Sequence, residues 1–365
     1  MPWRCRRLVA GLLALACLVA ATLVYAETRY ALAVTAVKVD VQPIVAFDNR
    51  DPTRTRFGAL EFRGGLVLTS YNNAFGGFSG LVVKPDGEHF VSVSDRGSWF
   101  RGRIVYRDGR PAAIADAELA PILDRSGEPL AKKGWFDSES LTESSDGAMY
   151  VGFERVQRIA RFDFGRDGVA ARGVPIPVPS DFKSLPYNRS LECLAAPGKD
   201  SRLGGSLIVI TEHSLDSAGN FRSFILSLPS SDIRRDETEA RRSAEREGES
   251  KTKVGRFAVK RIGDFDVSDC ALDGRGRLFL LERSYSVMKG VGMRIRALSL
   301  ADVKPGALLD GPVLIQADLG FQIDNMEGIG VHRNAAGETV LTLISDDNFS
   351  VLQRTLLLQF ALAAE

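Results

Sequence analysis

Histidine and cysteine are scarce in this chain, three and four among 365. No C-x-x-C, H-E-x-x-H, phosphate-binding loop or dinucleotide fingerprint occurs, which argues against zinc proteolysis, nucleotide hydrolysis and redox cofactors. Gly76-Gly77-Phe78-Ser79-Gly80 lacks the spacing of a nucleophile elbow and leads into a strand, not a helix, so serine catalysis has little support. A basic excess is also missing. The formal net charge is +1, which leaves no bulk electrostatic attraction for nucleic acid. Amphipathic helical periodicity is almost absent, which counts against an α/β fold.

What is present is globular: 45% hydrophobic and 25% charged residues. The first 26 residues stand apart. Arg4, Arg6 and Arg7 precede an apolar run from Leu8 to Tyr25, ending in Val24-Tyr25-Ala26, the form of a cleavable signal peptide. A periplasmic or secreted protein is expected. Sec-type export fits best, with twin-arginine export through Arg6-Arg7, an uncleaved anchor and a lipoprotein at Cys17 as alternatives. Residues 27–36 are then expected to be a flexible lead-in. Beyond the leader only Cys193 and Cys270 remain, too few for a disulfide scaffold.

A repeat organises the rest. Five segments share one pattern, beginning "FSGLVVKPDG", "SESLTESSDG", "LECLAAPG", "SDCALDGRG" and "MEGIGVHRNAAG". Each has a polar or acidic residue, a small residue, an apolar residue and a Gly/Asp turn, then an apolar strand that ends in an acid. The first position is Ser79, Glu139, Glu192, Asp269 or Glu327, and the closing acid Asp95, Glu154, Glu212, Glu282 or Asp346. Successive first positions lie 60, 53, 77 and 58 residues apart. A period of that length holding about four short strands predicts an all-β fold, a β-propeller with five or six four-stranded blades around a central channel. A β-sandwich is the competing all-β reading. One further blade would combine N-terminal with C-terminal strands. A single domain over 37–362 is expected, interrupted by a charged insertion at about 230–253 that reads as a solvated loop.

In such a meander the first acid enters the innermost strand and the closing acid returns to the same face, so both sets gather at one mouth. The small residue beside the first acid fits the crowding near the axis. Cys193 and Cys270 occupy that position and are read as small buried residues, not as a disulfide or reactive thiols. Clustered, desolvated carboxylates must be compensated. One solution is a hard cation with oxygen ligands. The other is an arginine lattice, for which Arg96, Arg155, Arg189 and Arg283 are placed.

The stretches "LEFRGGLVLTSYNNAFGGFSGLVVKPDGEHFVSVSDRGSW", "FDSESLTESSDGAMYVGFER", "NRSLEC", "SDCALDGRGRLFLLER" and "DNMEGIGV" resemble the phytase-like, esterase-like domain of exported bacterial proteins. The resemblance runs from about Val37 to Leu362. It implies a β-propeller and hydrolysis of an ester or phosphoester. Matching positions are Glu139, Glu192, Asp269 and Glu327, accompanied by Asn72, Asn73, Ser79, Asp95, Arg96, Asn188, Arg189, Asp346, Asp347 and Asn348.

The chemistry expected is metal-assisted. Glu139, Glu192, Glu327 and Asp346 are the candidate ligands of a divalent cation, Ca²⁺ ahead of Mg²⁺. Asp269 is a ligand or general base, and His213, beside Glu212, a second candidate base. Arg96, Arg155 and Arg189, with Asn72, Asn73 and Ser79, would hold an anionic substrate. The partner is a small ester or phosphoester, without nucleic acid or stable membrane insertion beyond a possible N-terminal anchor, and the protein is expected to be monomeric. A non-catalytic binding propeller and a metal-dependent lactonase-like enzyme are the alternatives.

Overall fold

The computed structural model describes residues 31–228 and 253–363. The leader at 1–26 and nearly all of the insertion at 230–253 therefore lie outside the described residues. No helix among the described residues is long and apolar enough to cross a membrane.

Five antiparallel sheets are arranged as the blades of a β-propeller. Their innermost strands are Phe78–Val83, Ser138–Glu143, Cys193–Ala195, Asp266–Leu272 and Asn325–Arg333, which we number blades one to five. The chain then moves outward strand by strand within each blade. Blade five closes the circle. After Asn325–Arg333, Thr339–Asp346 and Thr355–Leu362, its fourth strand is the N-terminal Leu60–Thr69, and Asp40–Ile44 adds a fifth. The N-terminal strands thus complete a blade instead of making a sixth. Four-stranded blades are extended elsewhere too: Thr35–Ala36 pairs with Arg110–Pro121 on blade one, and Leu308–Leu309 adds in parallel to blade three. Of the lead-in expected at 27–36, residues 31–36 lie against blade one. Ala31 is buried there and its amide donates to Ser98 Oγ at 3.0 Å.

The core explains why the strands alternate as they do. Successive side chains point to opposite sheet faces, so each blade offers one apolar face to each neighbour. In the second strand of blade four, Phe279 and Leu281 pack toward blade five, whereas Leu278 and Leu280 pack toward blade three. The described residues accordingly form five apolar clusters, one per blade junction.

Close to the axis each inner strand is tied to the neighbouring blade. Ser138 Oγ donates to the Ser94 carbonyl at 2.5 Å, joining blades one and two, and Ser140 Oγ to the Leu191 carbonyl at 2.6 Å, joining blades two and three. Blades four and five are linked by Ser268 Oγ donating to the Met326 carbonyl at 2.9 Å. Between blades five and one the approach is so close that a Cβ on Gly328 would stand 3.1 Å from Leu81 Cβ. Only glycine leaves room there.

The junction of blades three and four corrects the reading of the cysteines. Cys193 and Cys270 form a disulfide across 77 residues, with their Cα atoms 5.1 Å apart. Both are buried, as expected of the small position. That position is repeated on neighbouring inner strands, and convergence on the axis brings the two sulfurs together. Sequence spacing alone does not reveal this, because the two residues are remote in the chain and adjacent only around the ring.

Candidate functional site

The inner strands do not enter the mouth as regular β-structure. In blades two and five the pairing register slips across Glu139 and Glu327, each the extra residue of a β-bulge. A bulge re-aims a side chain that would otherwise lie on a sheet face, and here it turns both carboxylates into the channel mouth. In blade four the slip falls one residue earlier, at Ser268. A one-residue shift moves a side chain to the other face. Asp269 consequently does not line the mouth: its Oδ2 accepts the Ile329 amide at 2.7 Å and the Leu81 amide at 3.4 Å, below the floor. It ties blade four to blades five and one.

The mouth opens into a cavity of about 1050 Å³. Among the described residues, eleven carboxylates and four guanidiniums line it. Beside Asp95, Glu139, Glu154, Glu192, Glu212, Glu327 and Asp346 it includes Asp137, Asp264, Asp266 and Asp324, which the repeat did not single out. Asp137 carries a signal in hindsight, since it stands two residues before Glu139 and adopts φ 69, a conformation that Asp tolerates.

Blade four differs from its neighbours. The closing acids were expected to share one face, but Glu282 turns away from the mouth. It is fully buried between Arg294, whose Nε donates to it at 2.6 Å, and Arg296, whose NH2 donates at 2.6 Å. The next residue, Arg283, faces the mouth in its place. Arg283 contacts Glu327 at 2.8 Å and Glu212 at 2.9 Å. Burial opposes the charge of this guanidinium, but Glu327 and then Glu212 outweigh it and raise its pKa.

Other groups are partly compensated. Glu154 accepts the backbone amides of Arg189, at 2.8 Å, and of Ser190. Arg189 reaches this pose with φ 75. Arg155 pairs with Asp137 at 2.7 Å, and Asn325 donates to Glu327 at 2.9 Å. Asp346 accepts the Asn348 amide at 2.6 Å. Glu139 and Glu192, in contrast, have no ion pair among the described residues. Among the described residues, Glu192 Oε2 and Glu327 Oε2 are buried without a hydrogen-bond partner. Oxygens of Glu154, Glu192 and Glu212 lie within 4.8 Å of one another.

Desolvation dominates the electrostatics of these acids. Burial pushes Asp95 up to about 7, with Arg96 opposing the shift and Asp137 adding to it. Glu212 is driven up to about 8 by burial against the pull of Arg283, and Glu327 to about 6 for the same two reasons. Burial, followed by the repulsion of neighbouring carboxylates, holds Glu139 and Glu192 well above the usual range.

The remaining candidates fall in different places. Arg155, Arg189 and Asp346 line the cavity. Arg96 stands beside Asp95 at 3.9 Å with its guanidinium over the Phe349 ring. Ser79 is buried in the inner strand of blade one, where its carbonyl accepts Ser92 Oγ at 3.0 Å. Asn72 Oδ1 caps the Ala74 amide at 2.9 Å, and Asn73 is exposed nearby. Neither asparagine nor Ser79 lines the cavity. His213 lies at the rim, its Nδ1 2.7 Å from Asp266 Oδ1, and Asp266 also pairs with Arg261 at 3.1 Å. Asp347 is a clasp between blades: it accepts the Gly77 amide at 3.0 Å and Thr355 Oγ1 at 3.1 Å.

Residues 73–349 match the family described as phytase-like, esterase-like activity of phytase. The chain belongs to that phytase-like family. No curated protein sequence matches this phytase-like chain. Solved structures similar to it include a streptogramin B lyase at 7% identity and a TM-score of 0.35, covering 88% of this chain and 98% of that one. A catalytically inactive virginiamycin B lyase from Staphylococcus aureus, solved with quinupristin, gives 8% identity and 0.38 over 89% and 100%. A luciferin-regenerating enzyme gives 9% identity and 0.38 over 88% and 95%.

Proposed function

We propose that this phytase-like propeller is an exported hydrolase of esters or phosphoesters that works with a divalent cation held at its acidic mouth. The observation that carries the reading is the close-set trio Glu154, Glu192 and Glu212, with a buried unpartnered oxygen on Glu192. All of the donors are carboxylate oxygens, the set that suits a hard cation, Ca²⁺ before Mg²⁺. Glu139, Glu327 and Asp346 stand around the same cavity and would complete its coordination directly or through water.

When bound, such a cation polarises a carbonyl or phosphoryl oxygen and lowers the pKa of a water. The protein's own groups do the rest. Arg155 and Arg189, which line the cavity, would receive an anionic substrate. Arg283 stays charged and holds Glu212 and Glu327 at fixed positions. The His213–Asp266 pair at the rim can accept a proton and hand it to solvent, with Asp266 orienting the ring through Nδ1. Asp269 takes a positioning role, since it fixes the backbones that carry Glu327 and Ser79.

The test is an assay of the mature protein on aryl acetates and aryl phosphates, with Ca²⁺, with Mg²⁺ and with EDTA. Turnover that is lost in EDTA, restored by one cation and reduced at least ~10-fold in Glu192→Gln supports the reading. Turnover indifferent to EDTA would remove the cation from it. A protein that binds the cation and turns over nothing would be a binding propeller.

A further inference from the structure

The acidic cavity does not stop at the rim of blade four. The second and third strands of that blade pair as far as Ser286 opposite Gly290, four residues beyond Glu282, and so stand proud of the mouth. The three-residue loop between them is Val287-Met288-Lys289, with Gly290 at φ 70 supplying the turn. Gly290 sits so close to Leu319 that a Cβ would meet its Cδ1 at 2.3 Å. This contact presses the hairpin against the segment before blade five. A groove of about 900 Å³ lies along the hairpin, walled by Phe265, Tyr285, Val287, Met288, Val291 and Phe321. Val287 and Met288 are 92% and 98% exposed, and Tyr285 69%. Leaving three large apolar side chains together at one hairpin tip is costly in water unless they meet something.

Groove and cavity adjoin. Asp264, Ser284, Tyr285, Gly290 and Val291 line both. A molecule whose head lies among the carboxylates therefore has an apolar path along which to lay a tail. The site is two-sided: acids and the candidate cation position toward blades two and three, hydrocarbon toward blade four.

We propose that the substrate is an amphiphile, an ester or phosphoester whose head enters the acidic mouth while an apolar arm lies in the blade-four groove. This rests on the hydrolase reading above and adds the substrate class to it. Burying even a few methylenes of the arm against these side chains favours long-armed substrates over short ones at nearly constant chemistry. The arm contributes to capture, so it should appear in KM more than in kcat when the chemical step is unchanged.

The experiment compares 4-nitrophenyl acetate with 4-nitrophenyl hexanoate, and binding of methylphosphonate with hexylphosphonate by calorimetry in saturating Ca²⁺. It uses the mature protein and the double variant Val287→Ser/Met288→Ser, whose substitutions lie on an exposed tip and spare the core. The proposal predicts that the wild type prefers the six-carbon arm by about tenfold in both readouts and that the double variant loses most of this preference. It also predicts that the variant's Tm and its rate on the acetate are unchanged. Equal treatment of both arm lengths by the wild type would overturn the proposal while leaving the hydrolase reading intact. If no ester is hydrolysed but hexylphosphonate binds about tenfold tighter, the arm site stands and the hydrolase reading fails. If the variant loses binding only to phosphatidylcholine vesicles and keeps its preference for hexylphosphonate, the tip is a lipid-surface contact and the proposal falls.

Discussion

Two buried ionic clusters lie near each other in blade four and its neighbours, and they are built on opposite principles. Glu282 is one acid between two arginines, with every partner within 3.0 Å, and Arg294 and Arg296 donate on to the carbonyls of Ile262 and Lys260. At the mouth, among the described residues, eleven carboxylates face four guanidiniums, and Glu192 keeps an oxygen with no partner. A structural use of a buried carboxylate pairs both of its oxygens, as at Glu282, because an unmatched ion costs far more than a lost contact. The mouth violates that rule where a positive guest would restore it. An arginine lattice does exist, in Arg283 and Arg155, but it stops short of Glu139 and Glu192.

Substitutions on the two sides should behave differently, and the paired cluster gives the largest effect. Glu282→Gln leaves two buried guanidiniums facing a neutral amide, so a loss of about 3–5 kcal/mol is expected in chemical denaturation. Replacing Cys193 and Cys270 together by Ser should cost roughly 2–4 kcal/mol. Because Cys193 follows Glu192 directly, the same variant should bind Ca²⁺ more weakly in calorimetry. Glu154→Gln removes a candidate ligand and should lower cation-dependent turnover about a hundredfold, with little change in far-UV circular dichroism.

The smallest effect is one of pH. Asp95, Glu212 and Glu327 have folded-state pKa values raised to about 7, 8 and 6. The native state therefore holds protons that the unfolded chain releases near its ordinary carboxyl values. The stability these groups contribute is present below about pH 4.5, taking the ordinary value for Glu, and is lost as pH rises through about 6 to 8. In EDTA the Tm should fall between pH 5 and pH 8. Saturating Ca²⁺ should flatten that fall, since a ligand of the ionised acids stabilises most where they are ionised.

Much of the fold is legible in the sequence, because a blade is a local unit. The acid-small-apolar opening, the Gly/Asp turn and the acidic close recur five times, and five blades result. What spacing does not contain is lateral. The disulfide joins residues 77 apart, and the final blade combines N-terminal with C-terminal strands. Nor does the pattern contain bulge position. In "SDCALDGRGRLFLLERS", Asp269 and Glu282 align with the acids of the other repeats, yet the slip at Ser268 sends Asp269 under the floor, and Glu282 points to the interior. Glu and Arg are adjacent at 282 and 283, so strand parity alone decides which of them the mouth receives. Asp137 and Asp266 are missed because they lie outside the repeated positions and reach the cavity through loop and strand-entry geometry.

A mouth left uncompensated until a cation fills it is the central claim, and the thermal stability of Glu192→Gln tests it most directly. Measured at pH 8 against the wild type, with Ca²⁺ and with EDTA, the shift in Tm should have opposite signs. In EDTA the variant should melt higher, because one repelling, desolvated charge is gone. In Ca²⁺ it should melt lower, because a ligand is gone. A variant that melts lower than the wild type by the same amount in both conditions would contradict the claim and make Glu192 a member of the lattice.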